Sequence, residues 1–133
     1  MTITTESLAP NRAGLDYCDR NTVGRLEDAA AEVVEVALAA WMARRAGEDF
    51  AAEAARMARY QQITTYAKML AGKGGLSAAG WVAYAEALIR DYYAIHAENA
   101  ARDGDEARAD YWRDLAEAQE RQIAMKLAPV QTW

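Results

Sequence analysis

This chain of 133 residues contains only one histidine, one cysteine and two prolines. A lone Cys18 cannot form an internal disulfide, so we expect no dependence on an oxidising compartment. A single His96 with a single cysteine excludes a Cys/His zinc centre, Cys-x-x-Cys-His haem attachment and the paired Glu-x-x-His motifs of di-iron bundles. The sequence therefore predicts no metal, no cofactor and no catalytic centre.

Large aliphatic side chains are also scarce. Leu, Ile, Val and Phe together number 21, a low share that with high net charge usually indicates disorder. However, 32 alanines and 11 Trp and Tyr residues bring the apolar fraction to 53%. This composition favours a folded chain whose helices approach closely along alanines, with aromatic rings filling the gaps.

Long apolar runs are missing as well, and no stretch approaches the ~20 residues that a membrane-spanning helix needs. The first eight residues lack the positive and apolar regions of a secretory signal, so we expect a cytoplasmic protein with no membrane contact. The formal net charge of −5 argues against direct nucleic-acid binding, which needs a basic surface.

Four helical stretches of similar length follow an irregular start. They are predicted over about 22–46, 49–71, 77–102 and 105–127, with capping by Asn21 or Thr22, Asp49, Ser77 and Asp105. Short connections force neighbouring helices to run antiparallel. We therefore predict an all-α fold, an antiparallel up-down-up-down four-helix bundle of two helical hairpins. A loose arm over 1–20 precedes the domain over 21–128, and a tail over 129–133 follows it.

Apolar residues at helical spacing predict which faces are buried. The first predicted helix buries Leu26, Ala30, Val33, Val34, Ala37, Leu38 and Trp41. The third buries Trp81, Ala85, Leu88, Ile89, Tyr92 and Ile95, and the fourth buries Tyr111, Trp112, Leu115, Ala118, Ile123 and Met125.

The second predicted helix is apolar on two sides. One stripe contains Phe50, Met57, Tyr60, Ile63, Ala67 and Leu70. The other stripe consists of Ala55, Ala58, Gln62, Tyr66 and Met69. A single core cannot bury both stripes, so this second stripe predicts self-association, with a dimer favoured. Loose patterning in an alanine-rich helix is the alternative.

The fourth predicted helix carries carboxylates at steps of three and four residues. This acidic stripe consists of Asp103, Glu106, Asp110, Asp114 and Glu117. It is either a solvated face or a docking surface for a basic partner protein. The terminal Trp133 either folds back or anchors a partner. We therefore predict a non-catalytic protein that binds other proteins. A narrower form of this prediction is an acidic inhibitor that docks on the basic site of a nucleic-acid-handling enzyme, like the inhibitors that phages and mobile elements encode.

Two alternatives remain open at this point. His96 on a four-helix bundle resembles the histidine phosphotransfer domains in architecture, although Ala97 and Glu98 follow it where that family has Lys and Gly at short spacing. Antiparallel pairing places His96 near Tyr111 and Trp112. A second alternative is a small apolar ligand held in a cavity lined by Tyr92, Gln119 and Gln122. If no ligand binds there, we expect the side-chain amides of Gln119 and Gln122 to form hydrogen bonds with Tyr84 or Tyr92 in the core.

Overall fold

The computed structural model describes residues 4–15 and 17–131, with side chains up to Lys126. This part of the chain is all-helical. Its five α-helices are α1 (Thr5–Leu8), α2 (Tyr17–Arg45), α3 (Ala52–Leu70), α4 (Ala78–Arg102) and α5 (Glu106–Gln131). Single turns of 3₁₀ helix lie at Arg12–Gly14 and Lys73–Gly75.

Two of the predicted caps are confirmed, and two are wrong. Ser77 accepts from the Gly80 amide, and Asp105 accepts from the Arg108 amide at 3.1 Å. Asp49 does not cap α3, whose N-cap is Ala51 without a side-chain bond. Thr22 lies inside α2, where its hydroxyl donates back to the Cys18 carbonyl as threonine often does within a helix.

The segment predicted as a loose arm is ordered differently. Leu15 and Pro10 are buried, and the Asn11 amide donates to the Gly74 carbonyl at 2.8 Å. On α1, the Thr5 hydroxyl donates to the Asp91 carboxylate of α4. The segment packs because Leu15 belongs to the core and Leu8 packs against it, which a local reading of the sequence does not reveal. The predicted tail also differs, since α5 continues through Pro129 to Gln131.

Helix α4 lies at the centre of the fold and packs against each of the other four helices. It buries side chains on all sides rather than along one stripe. The buried set is Trp81, Ala83, Tyr84, Ala85, Glu86, Ala87, Ile89, Tyr93, Ala97 and Ala100. Consecutive burial of this kind requires small residues, because neighbouring helices must approach α4 from several directions.

Helices α4 and α5 run antiparallel. Glu86 pairs with Lys126 at one end of their contact, and Arg90 pairs with Glu120 near its middle. At the other end the His96 ring stacks on Trp112 at 4.5 Å between centroids. The Tyr111 hydroxyl of α5 also donates to the Ala37 carbonyl of α2 at 2.9 Å.

Alanine and aromatic residues dominate the core, as the composition indicates. Of the buried apolar residues in the described chain, nine are alanine and five are Trp or Tyr. Three predicted core residues are exposed instead, namely Leu38, Ile95 and Met125. They lie at the ends or edges of their apolar stripes, where no neighbouring helix covers them.

The Lys73–Gly75 turn offers a direct test of the docking of residues 4–15. Gly74 and Gly75 both have positive φ angles, +58° and +79°. A Cβ at position 74 would lie 2.9 Å from the Pro10 Cβ, whereas one at position 75 would meet nothing within 4 Å. We expect Gly75→Ala to lower the free energy of unfolding by about 1–2 kcal/mol through φ alone, and Gly74→Ala to lower it further.

Urea unfolding of both variants measures the difference. Equal losses would contradict the docking of this segment on the turn.

Candidate functional site

The second apolar stripe, Ala55, Ala58, Gln62, Tyr66 and Met69, lies on α3 and is here called the α3 face. It forms part of the protein surface. Ala58, Gln62 and Met69 are exposed, while Ala55 and Tyr66 are half-buried. The Tyr66 ring packs against the edge of the core. The structure thus places all five predicted self-association residues where a partner can reach them.

Methionine is exposed wherever the structure describes it. Met42, Met57, Met69 and Met125 each expose more than half of their surface. Flexible thioether side chains are common at adaptable binding surfaces. Two of the four, Met57 and Met69, lie on α3.

The acidic stripe is exposed but partly neutralised. Arg108 pairs with Asp103 at 2.8 Å, and Arg113 pairs with Asp110 at 2.9 Å and approaches Glu106 at 3.9 Å. These pairs are solvent-exposed and each contributes little to stability. Asp114 and Glu117 make no ion pair within the described residues, and Trp133 lies outside them.

His96 is half-buried at the edge of the contact between α4 and α5. Trp112 covers one face of its ring, as the antiparallel pairing predicts. The other side borders a shallow groove of about 210 Å³ between α2 and α4, lined also by Tyr92 and Ile95. Partial burial and the nearby Arg108 cation lower the pKa of His96. The stacked Trp112 ring and the partial burial restrict the access of a phosphoryl donor to this imidazole.

The structure separates the three residues predicted to line a ligand cavity. Tyr92 faces the groove between α2 and α4, while Gln119 is buried and Gln122 is exposed on α5. Gln119 accepts a hydrogen bond from the Tyr60 hydroxyl at 3.0 Å. The prediction that Tyr84 or Tyr92 bonds these amides is therefore wrong.

Tyr84 has other partners. Its hydroxyl donates to the Glu27 carboxylate at 2.7 Å, which also accepts from Arg12. The prediction for Gln119 failed because it assumed that α5 faces only α4, whereas the Gln119 side chain reaches α3.

A buried carboxylate lies where α3, α4 and α5 meet. Glu86 is 1% exposed, and its Oε1 accepts from the Lys126 ammonium at 2.9 Å. Its Oε2 is buried and has no hydrogen-bond partner. Burial raises the pKa of the Glu86 carboxyl above its ordinary 4.5, and the cations of Lys126 and Arg56 oppose that rise. Desolvation has the larger effect.

A cavity of about 270 Å³ opens beside this carboxylate. Its lining consists of Glu53, Arg56, Met57, Tyr60, Glu86, Gln122 and Lys126. Arg56 stacks over the Tyr60 ring at 5.2 Å, and the Arg56 Nε is buried with no hydrogen-bond partner. We call this arrangement the Glu86 site.

Sequence reasoning did not identify the Glu86 site. The signal was available, since Glu86 is the only charged residue between Gly74 and Ile89. A lone carboxylate within an apolar stretch is either an exposed position on an amphipathic helix or a buried group with a partner. Choosing between these requires knowing that α4 is covered on all sides.

Comparison with protein-family models, with curated proteins and with solved structures found no match to this chain. Within the described residues, no cluster of three or more His, Cys, Asp and Glu side chains is arranged to hold a metal ion. In the same part of the chain, no helix combines the length and the apolar character needed to cross a membrane.

The burial of Glu86 generates a pH prediction. Because its folded pKa lies above its ordinary value, the folded state binds this proton more tightly than the unfolded state does. Glu86 therefore reduces stability as the pH rises from about 4.5 through its folded pKa. Relative to wild type, Glu86→Gln should therefore gain in free energy of unfolding as the pH rises above about 4.5.

Urea unfolding across this range tests the trend. Glu53→Gln removes the same charge from an exposed position of the same cavity and serves as control. A constant difference between wild type and Glu86→Gln, or one that favours wild type as the pH rises, would contradict the assignment.

Proposed function

We propose that this chain is a non-catalytic helical protein that acts in the cytoplasm by binding other proteins, and that it self-associates through the α3 face. The proposal treats the four long helices as an up-down-up-down antiparallel bundle. The antiparallel pairing of α4 with α5 supports that arrangement, as does the short connection between α2 and α3.

The observation that carries the proposal is how little of α3 is buried. Only Ile63, Ala67 and Leu70 of its 19 residues are buried, against ten residues of α4. Helices in globular proteins depend on tertiary packing of an apolar face for most of their stability. A 19-residue helix with so small a buried set and two exposed methionines has apolar surface left for a partner.

The α3 face is also self-complementary. If two copies of α3 cross antiparallel about a two-fold axis at Gln62, Ala55 meets Met69 of the partner and Ala58 meets Tyr66 of the partner. Each pair combines a small residue with a large one, which lets two helices interlock. On the axis, Gln62 meets its own copy, and two facing amides can exchange hydrogen bonds. An isologous dimer requires this kind of self-matching surface.

Charge is compatible with the same contact. On α3, Arg56 and Arg59 have acidic partners within their own chain, Glu53 and Glu32. The α3 face itself carries no charged residue. Two copies can therefore approach without bringing unpaired like charges together.

The acidic stripe is the second surface in the proposal. Asp114 and Glu117 leave negative charge uncompensated on the described part of α5, which suits a basic patch on another protein. The nucleic-acid site of an enzyme is one such patch. In its narrower form, the proposal is therefore that this chain is an acidic inhibitor of such an enzyme.

Light scattering of the full chain tests self-association. We expect a dimer mass for wild type, and a shift toward monomer for Ala58→Glu, because the new carboxylate would be desolvated against Tyr66 of the partner. Ala39→Glu makes the same change at an exposed alanine of α2 and should leave the mass unchanged. A monomeric wild type, or equal effects of the two variants, would remove the α3 face as the interface.

A further inference from the structure

We infer that the Glu86 site binds a small zwitterion of the free amino-acid class, with the ligand ammonium on Glu86 and its carboxylate on Arg56. This binding role is separate from self-association, since the Glu86 site lies where α3, α4 and α5 meet. The argument rests on the polar side chains that line the cavity, on their charges and on the size of the space.

The acceptor end of the site is Glu86. Its side chain is almost completely buried, and Lys126 satisfies only one of its two oxygens. Buried polar atoms without a partner are uncommon because each one forfeits its hydrogen bonds to water. The free Oε2 requires a hydrogen-bond donor, and a cationic N–H group forms the strongest bond to a carboxylate.

The donor end of the site is Arg56. Its Nε is buried without an acceptor, and its Nη1 is 3.8 Å from the exposed Glu53 carboxylate. Lys126 spends one of its three ammonium protons on Glu86 and is partly exposed toward the same cavity. A carboxylate of the ligand suits this end, because the fork of donors on a guanidinium matches its two oxygens.

The charge balance selects a ligand that carries both signs. Glu53 and Glu86 oppose Arg56 and Lys126, so the charges that line the cavity sum to zero. A simple anion would add to the negative charge of Glu86, and a simple cation would oppose Arg56 and Lys126. Glu86 already pairs with Lys126, and Arg56 with Glu53, but one oxygen of Glu86 and the Nε of Arg56 make no hydrogen bond. A zwitterion can bring a charge of opposite sign to each of these two side chains.

The size of the cavity limits the ligand further. About 270 Å³ is roughly nine times the ~30 Å³ that a water molecule occupies in the liquid. It lies below the range of ~300–1,000 Å³ that is typical for drug-sized ligands. The Tyr60 ring and the exposed Met57 side chain add an apolar wall, which leaves room for a small side chain on the ligand.

Nuclear magnetic resonance titration of the full chain tests this inference. Glycine, L-alanine and L-leucine are added separately at constant pH and ionic strength, with methylamine and acetate as single-charge probes. We expect saturable shifts of amides near the Glu86 site for at least one amino acid, and much weaker ones for methylamine and for acetate.

Variants assign the two ends of the site. Glu86→Gln and Arg56→Gln should each weaken amino-acid binding about tenfold or more, since each removes one charge-assisted hydrogen bond. Glu98→Gln removes an exposed carboxylate of α4 that lies outside this cavity and should alter binding less than threefold. Because Arg56 is partly exposed, its variant keeps the test valid if Glu86→Gln disturbs the fold.

Three results would overturn the inference. The first is no saturable shift with any of the amino acids, which would mean that the cavity holds water only. The second is acetate or methylamine binding as tightly as the amino acids. The third is unchanged amino-acid binding in both Glu86→Gln and Arg56→Gln.

Discussion

The packing of four helices onto α4 is the constraint on which the rest of the structure depends. A chain with few large aliphatic residues gains little from any single buried side chain, at ~25 cal/mol per Å² of apolar surface. It gains more when one helix is covered from several directions at once. Ala83, Ala85 and Ala87 allow this close approach, and Trp81 and Tyr93 fill the spaces that remain.

Covering α4 on all sides has two costs. It takes Glu86 out of water, and the Lys126 ammonium compensates only one oxygen of that carboxylate. It also leaves α3 at the periphery, with three buried residues and an apolar face that meets solvent. The Glu86 site and the α3 face therefore have a common origin in how this core is assembled, although the ligands proposed for them differ.

Local chemistry explains which parts of the fold could be predicted. The caps at Ser77 and Asp105 depend on a side chain and an amide three residues later, and the stacking of His96 on Trp112 follows from one antiparallel loop. The docking of residues 4–15 and the burial of Glu86 depend on which helices surround α4. No local pattern carries that information, so a lone charge in an apolar stretch was the only sign of the site.

The central functional claim is a two-fold contact between α3 helices at Gln62, and a disulfide placed on that axis tests it most directly. In a Cys18→Ser background, Gln62→Cys should oxidise to a covalent dimer, because facing residues at an axis can meet the ~4.4–6.8 Å Cα separation of a disulfide. Gln61→Cys, exposed one residue away on a different side of the helix, should remain monomeric under the same oxidation. Equal cross-linking at both positions, or none at Gln62→Cys, would contradict the account.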